Sequence, residues 1–384
     1  MDFELTQEQT MVREAARNFA REAVAPIAAE IDQTGRFPGE VFAQAGELGF
    51  AGVTVPEEFG GAGMDTVSYA ILIEEISRAC ANMGVILSVN NSLVCDPILK
   101  FGNAEQKTKY LTPLAQGKLL GCFALTEPEA GSDAANQKTR AVRAGDVYRL
   151  TGEKIFITCG ANADVAIVFA MTQPEKKHKG ISAFLVDTES RGFDRSKHQV
   201  KLGVNASGTV EIFLNDVEVP AGNLLGAEGD GFKIAMATLD GGRIGIAAQA
   251  VGIAQSAFEA ARRYSLERKV FGHPIADFQV LRFYLADMAT EIDAARLLTL
   301  RAAAKKDEVA RHGGRFAEEA AMAKLYSAEM AQRVTTKALQ MHGGYGYTKE
   351  FPVERNFRDA RITEIYEGTS EIQRVVIARE IFAR

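Results

Sequence analysis

The period of the apolar residues changes twice along this chain, from helical to alternating and back. At the start, Thr6 and Gln9 have capping-box spacing, and Met11, Ala15 and Phe19 recur on one helical face. "VSYAILIEEISRACANMGVIL" (67–87) reads as one long apolar helix. "NAEQKTKYLTPLAQG" (103–117) reads as another, which Pro113 should end or kink. Ahead of the first, "VPEEFGGAG" (55–63) carries the glycines of a tight loop. The middle of the chain differs. "VYRLTGEKIFIT" (147–158), "VAIVFAMT" (165–172), "ISAFLVD" (181–187) and "GTVEIFLNDVEVP" (208–220) are β-branched and aromatic, with turn residues between them, as in antiparallel strands. Few helical segments intervene, which argues against a parallel βαβ sheet. From about Gly231 the helical period returns in three long stretches, 232–269, 278–306 and 316–344. Their Ala and Gly content permits close packing in a four-helix bundle or an oligomer core. The pattern predicts an α+β protein: a helical domain over 1–120, an antiparallel β domain over 121–230 and a C-terminal four-helix-bundle domain over 231–384.

Composition narrows the function classes. With 384 residues, 47% hydrophobic and 24% charged, the chain has room for two or three globular domains. A net charge of -6 argues against nucleic acid or an anionic membrane as the main partner. No apolar run approaches the roughly 18 residues of a membrane span. The opening "MDFELTQEQT" is neither a signal peptide nor an Arg-rich transit sequence, which fits a bacterial cytoplasmic protein or a mature mitochondrial-matrix enzyme. Cys80, Cys95, Cys122 and Cys159 form no CxxC pair and no zinc spacing, so buried reduced thiols are expected and no metal site.

The chain lacks a P-loop, GxSxG and HExxH, and "GGYGY" (343–347) follows a helix rather than a strand, unlike a Rossmann glycine loop. Three stretches carry candidate chemistry. "CFALTEPEAGSD" (122–133) offers hydroxyl and N–H donors beside a permissive Gly131, suited to flavin or phosphate atoms or to a plain turn. "ERKVFGHPIADFQ" (267–279) sets Arg268, Lys269, Phe271 and Gln279 where they could hold a dinucleotide, or form a solvated loop. "IYEGTSEIQRVVIAREIF" (365–382) reads as a capped helix, with a Ser370–Gln373 capping box and an apolar face of Ile372, Val375, Val376 and Phe382. Glu367 precedes it, either as a charge favoured by the helix dipole or as a base.

Together, "LTEPEAGSD", "EKIFIT", "LDGGRIGIAAQAVGIAQ", "ERKVFG", "QMHGGYGY" and "RDARITEIYEGTSEIQ" resemble, over the whole chain and in order, the acyl-CoA dehydrogenase family. "SVNNSLV", "DGGRIGIA" and "YEGTSEIQ" resemble its short-chain, butyryl-CoA branch. The resemblance implies FAD, oxidation of an acyl-CoA thioester to the 2-enoyl-CoA, an electron-transfer flavoprotein as acceptor and a homotetramer. By motif it makes Glu367 the base for the α-proton, while the β-hydrogen leaves as hydride to flavin N5. It puts Phe123, Leu125, Thr126, Gly131 and Ser132 on the flavin, with Phe156, Ile157 and Thr158 beside the isoalloxazine. Phe156 stands where relatives often have Trp; this chain has none. Arg268, Phe271 and Gln279, and Gln340, Met341, His342, Gly343 and Gly344, would reach the adenosine half of a neighbour's FAD, with Thr369 and Glu371 closing the site. Ser132, Asp240, Arg243 and Gly368 match CoA or acyl contacts.

One departure bears on substrate. Asp96 puts a carboxylate in a region that is uncharged in short-chain relatives. It would shape the pocket for a cyclic or branched acyl-CoA, act as a second proton acceptor, or cap a helix end before Pro97. A flavin oxidase or monooxygenase on the same fold, and a non-catalytic helical scaffold, are the competing functions. Glu367 beside a full set of flavin positions favours the dehydrogenase.

Overall fold

A computed structural model describes residues 4–383; the Met-Asp-Phe that opens the acidic N-terminus lies outside them. The N-terminal part is helical. Helix α1 (Gln7–Phe19) starts at the expected Thr6–Gln9 capping box. Its buried face is Val12, Ala16 and Phe19, not the Met11–Ala15–Phe19 stripe, because the broader apolar arc turns one residue further toward the core. The long apolar helix is two: α2 (Thr66–Ala79) and α3 (Ala81–Ser88), broken at Cys80, whose backbone is extended. The break folds α3 back so tightly that a Cβ on Gly84 would sit 2.0 Å from Ser77 Oγ. Pro113 does not end its helix. A π-helical stretch over Lys107–Leu111 widens the turn before it, and Pro113 occupies the first turn of Thr112–Ala115, where its missing N–H costs little.

A second π-helical stretch, Val89–Cys95, follows α3 and leads into α4 (Asp96–Phe101). It turns Asn90 and Asn91 into the core, where their amides bond to backbone. Asn90 Nδ2 donates to Ala51 O at 2.8 Å and Leu114 O at 3.1 Å, and Asn91 Nδ2 to Phe50 O at 2.9 Å. The two asparagines are therefore scaffold, tying loop and helix to the sheet's first strand through Gly121 N.

The middle part is one sheet of eight strands: β1 (Gly121–Ala124), β2 (Arg140–Ala144), β3 (Val147–Ile157), β4 (Val165–Met171), β5 (Ile181–Asp187), β6 (Phe193–Arg195), β7 (Val210–Pro220) and β8 (Leu224–Leu225). The order is β6-β7-β3-β2-β4-β5-β8, with β1 also on β4. The purely antiparallel expectation needs correcting. β1 pairs with β4 in parallel along its length, and β2 meets β4 in parallel at Arg140 and Met171. The 125–164 segment, which contains β2 and β3, supplies the long connection that the parallel neighbours β1 and β4 need. β4 is buried at every position and forms the sheet's core. The four cysteines are buried and free.

Three long helices follow, α5 (Gly231–Glu267), α6 (Gln279–His312) and α7 (Ala317–His342), then α8 (Val353–Ile362) and α9 (Ser370–Phe382). α5 is the axis: α7, α2, α6 and α8 all pack on it. Its glycines set the approach of α2. A Cβ on Gly252 would lie 2.3 Å from Glu74 O and 2.9 Å from Arg78 N, both backbone atoms. Ion pairs Arg296–Glu74 (2.9 Å) and Arg78–Glu259 (2.7 Å) then tie α2 to α6 and α5. On α9 the buried edge is Ser370, Gln373 and Val376, while Val375 and Phe382 face outward, unlike the predicted apolar face. Among the described residues no helix is long and apolar enough to cross a membrane. Gly252→Ala must push α2 off α5; thermal melting of the purified protein should show a loss of about 1–3 kcal/mol, the usual cost of overpacking.

Candidate active site

The loop between α8 and α9 carries Tyr366, Glu367 and Gly368. Glu367 has φ 51° and Gly368 φ 90°. A left-handed backbone costs a non-glycine residue about 1–2 kcal/mol. Two side chains hold it there. Gln373 Nε2 donates to Glu367 O at 3.2 Å and to Gly368 O at 2.8 Å. Lys324 Nζ, from α7, donates to Gly368 O at 2.6 Å. A hydrogen bond from a charged donor contributes about 1.5–3 kcal/mol, enough to offset the strain. The Ser370–Gln373 capping box does not form, because the Gln373 amide is engaged by these carbonyls. Thr369 caps α9 instead, its side chain accepting from Ile372 N. Tyr366 Oη donates to Gln249 of α5, which in turn donates to Ala81 O at 2.9 Å, so the loop is pinned on both sides of Glu367.

This turn aims the Glu367 carboxylate at α5. A Cβ on Gly242 would lie 2.1 Å from Glu367 Oε2 and 2.8 Å from Leu93 Cδ2, so only glycine leaves the carboxylate room. Leu93 comes from the π-helical stretch and supplies an apolar wall. Glu367 Oε2 is buried without a hydrogen-bond partner. Burial raises the Glu367 carboxyl to about 7, against the opposing pull of Lys324 and Arg243. Arg243, itself buried, pairs with Asp240 one turn earlier on α5. Arg243 Nε, Ser370 Oγ and Gln373 Oε1 are also buried and unpartnered. Orphaned polar atoms are rare in native interiors, and their concentration on one turn and its facing helix marks a place for a ligand.

A second group lies at the sheet. Between Lys154 and Ile157 the β3–β7 register slips in a bulge, and Phe156 has φ 59° with 64% of its surface exposed. The bulge turns Phe156 outward while Ile157 stays in the core and Thr158 is half-buried. Ile155 N donates to Thr126 O at 2.9 Å, which brings the 122–133 loop to this strand. Below the loop, Lys154 Nζ donates to Glu127 Oε1 (2.8 Å) and to Leu125 O (3.2 Å), and Glu127 accepts from Lys138 N (2.6 Å) and Thr139 N (3.0 Å). Leu125 is buried, Phe123 and Thr126 are half-buried, and Gly131 and Ser132 are exposed, with open space around Gly131.

A third group surrounds a cavity of about 570 Å³ lined by Arg268, Gln340, Met341, His342, Gly343 and Gly344, among others. Gly343 and Gly344 face open space. His342 supports the wall, its Nδ1 2.8 Å from Ala338 O and its ring stacked on Tyr264 at 4.3 Å. Phe271 (φ 54°) and Gln279 are exposed, as is Glu371 on α9. The cavity lies at the Tyr264 end of α5, about 33 Å along that helix from Gly242. Within one chain the carboxylate site and this cavity stand well apart along α5.

Asp96 is not at the disposal of a substrate. Lys100 Nζ donates to its Oδ2 at 2.8 Å and Lys306 Nζ to its Oδ1 at 3.3 Å. Burial would raise its carboxyl, but the two lysines hold it below the usual range. It makes no helix cap either. Asp96 is thus held in an ion pair that joins α4 to α6, which lends no support to a role as pocket carboxylate or second proton acceptor.

Lys324, Gly242 and the Glu127–Lys154 pair escaped the sequence reading, and Gln373 reads there only as part of a helix cap. One signal existed: Lys324 falls on the buried stripe of α7 with Ala317, Ala320, Ala321 and Ala328.

Three family descriptions match the chain in order: the acyl-CoA dehydrogenase N-terminal domain over residues 6–118, the middle domain over 122–217 and the C-terminal domain over 229–382. The chain belongs to the acyl-CoA dehydrogenase family. It is an oxidoreductase, a flavoprotein whose cofactor is FAD. It is 52% identical, over the full length of both chains, to the short-chain specific acyl-CoA dehydrogenase of Clostridium acetobutylicum. The butyryl-CoA dehydrogenase structure from Megasphaera elsdenii superposes with a TM-score of 0.96 at 46% identity over all of both chains. A chain from the structural study of the electron-transferring flavoprotein of Acidaminococcus fermentans superposes at 0.98 with 49% identity, again over all of both.

Gly242→Ala forces the Glu367 carboxylate aside. It should keep its FAD absorbance yet reduce the rate of substrate-driven flavin bleaching roughly 100-fold, the scale of an ångström misplacement. An unchanged rate would mean the carboxylate against Gly242 is not the reacting group.

Proposed function

We propose that this chain dehydrogenates a short-chain acyl-CoA of the butyryl type to the 2-enoyl-CoA, with Glu367 removing the α-proton. The observation that carries this reading is Glu367 Oε2: buried, unpartnered and backed by Gly242 and Leu93. An α-proton of a thioester is weakly acidic, so its base works best with a pKa near the operating pH. Burial against apolar neighbours provides that. Glu367 accepts the proton on Oε2, and its own backbone N–H, presented by the left-handed turn, is the donor for the thioester oxygen as enolate charge develops. FAD, when bound, supplies the acceptor for the β-hydrogen, taken as hydride at N5.

The residues present fit that cofactor. The bulge exposes Phe156 as a stacking face, with Thr126, Thr158 and the open Gly131–Ser132 turn as its polar surround. Arg268, Phe271, Gln279 and the Gln340–Gly344 cavity suit the adenosine half of an FAD held mainly by a neighbouring copy, with Thr369 and Glu371 at the closing edge. Such sharing requires an oligomer, a homotetramer in this reading. Ser132, Asp240, Arg243 and Gly368 are the positions for CoA and acyl contacts. An electron-transfer flavoprotein is the proposed electron acceptor. A short acyl group is favoured by the relatives and by the Tyr69–Ser88 hydroxyl pair (2.9 Å). That pair fills the space before Gly245, one turn beyond Gly242.

Anaerobic bleaching against straight, branched, cyclic and dicarboxylic acyl-CoAs tests both parts. Glu367→Gln should retain fold and flavin and lose bleaching roughly 100- to 10,000-fold, the range of a general base. Because the raised carboxyl must ionise to act, the wild-type rate should fall as pH drops through about 7. Persistent bleaching in Glu367→Gln would place the base elsewhere.

A further inference from the structure

The left-handed turn at Glu367 needs an agent to hold it, and the strongest candidate is a lysine that reaches it from another helix. Lys324 is fully buried on α7, among alanines, with its Nζ on Gly368 O at 2.6 Å. A lysine is rarely buried without a paired carboxylate, and Lys324 has no ion-pair partner within salt-bridge distance among the described residues. Gln373, also fully buried, spends its amide nitrogen on the carbonyls of Glu367 and Gly368.

From this geometry we infer that Lys324 and Gln373 are positioning residues for the Glu367 base: together they fix the Glu367–Gly368 turn, and of the two only Lys324 also brings a positive charge to it. The inference rests on Glu367 being the base. Lys324 is the first of the two cations that counter the effect of burial on Glu367, and burial pulls Lys324 itself down to about 8. The other groups facing this pair are Arg243 and Asp240 from α5, Tyr69 from α2, and Glu364, Tyr366 and Glu371 from the loop and α9. None of these bonds to the Gly368 carbonyl; only Lys324 joins a bond to the turn with a positive charge.

The division of labour separates the two residues experimentally. In the FAD-loaded enzyme, anaerobic bleaching by butyryl-CoA is followed against pH for Lys324→Met, Lys324→Gln and Gln373→Met. Both lysine variants lose the charge. In both, the acid limb of the rate profile should move upward by about one pH unit, the shift expected from losing a nearby opposite charge. Lys324→Gln retains an amide that can face the Gly368 carbonyl, so it remains informative if Lys324→Met does not fold. Gln373→Met loses the turn's second tie but not the charge. Its maximal rate should fall at least tenfold with the limb where it is in wild type. A wild-type acid limb in either folded lysine variant overturns the role of Lys324. A wild-type maximal rate in Gln373→Met overturns the clamp. Glu367→Gln, run alongside, keeps the two levels apart: if it still bleaches, the base assignment itself has failed, whatever the lysine variants show.

Discussion

Everything distinctive about the site follows from placing a carboxylate where water cannot solvate it. Glu367 is brought against Gly242 and Leu93 by a backbone turn that an unassisted chain would avoid. Two costs must be met together, the left-handed backbone and the buried charge. Lys324 addresses both, since its ammonium bonds the turn's carbonyl and its charge opposes the carboxyl's drift upward. Burial still wins over Lys324 and Arg243, and leaves the carboxyl near neutrality, where a proton acceptor is most useful.

The fold serves this arrangement through α5. That helix carries glycine at 242, 245 and 252, and each glycine admits a specific neighbour: the Glu367 carboxylate, the Tyr69 and Ser88 hydroxyls, and the backbone of α2. One helix thus fixes the carboxylate, closes the space beyond it and docks the N-terminal helices. Phe156 and Phe271, both exposed aromatic residues, share the left-handed conformation with Glu367, as do Cys159, Lys177, Val204 and Asp216.

Much of the architecture was legible. The strands from 147, 165, 181 and 210 show in their β-branched composition, and the three long helices in their apolar period. The helix break at Cys80 was not legible, because no Gly or Pro marks it; it depends on Gly84 packing against Ser77, a tertiary contact. The parallel β1–β4 pair was hidden for a similar reason, since pairing direction depends on the path of the chain between strands. At the site, motifs pointed to Glu367 and to the cavity residues Arg268 and Gln340–Gly344, yet not to what holds Glu367. Lys324 reads as an ordinary helical charge until its neighbours at helical spacing prove to be buried alanines. Asp96 misled in the opposite direction. An unusual carboxylate suggested chemistry, but Lys306, 210 residues away in sequence, takes part in neutralising it.

The central claim is that a desolvated Glu367 exchanges a proton with the substrate's α-carbon. The most direct measurement removes the hydride step: enzyme with its flavin already reduced is incubated with butyryl-CoA in D₂O, and deuterium at Cα is followed by mass spectrometry. The account predicts incorporation in wild type that increases with pH through about 7 and is absent in Glu367→Gln. Equal incorporation in Glu367→Gln would contradict it.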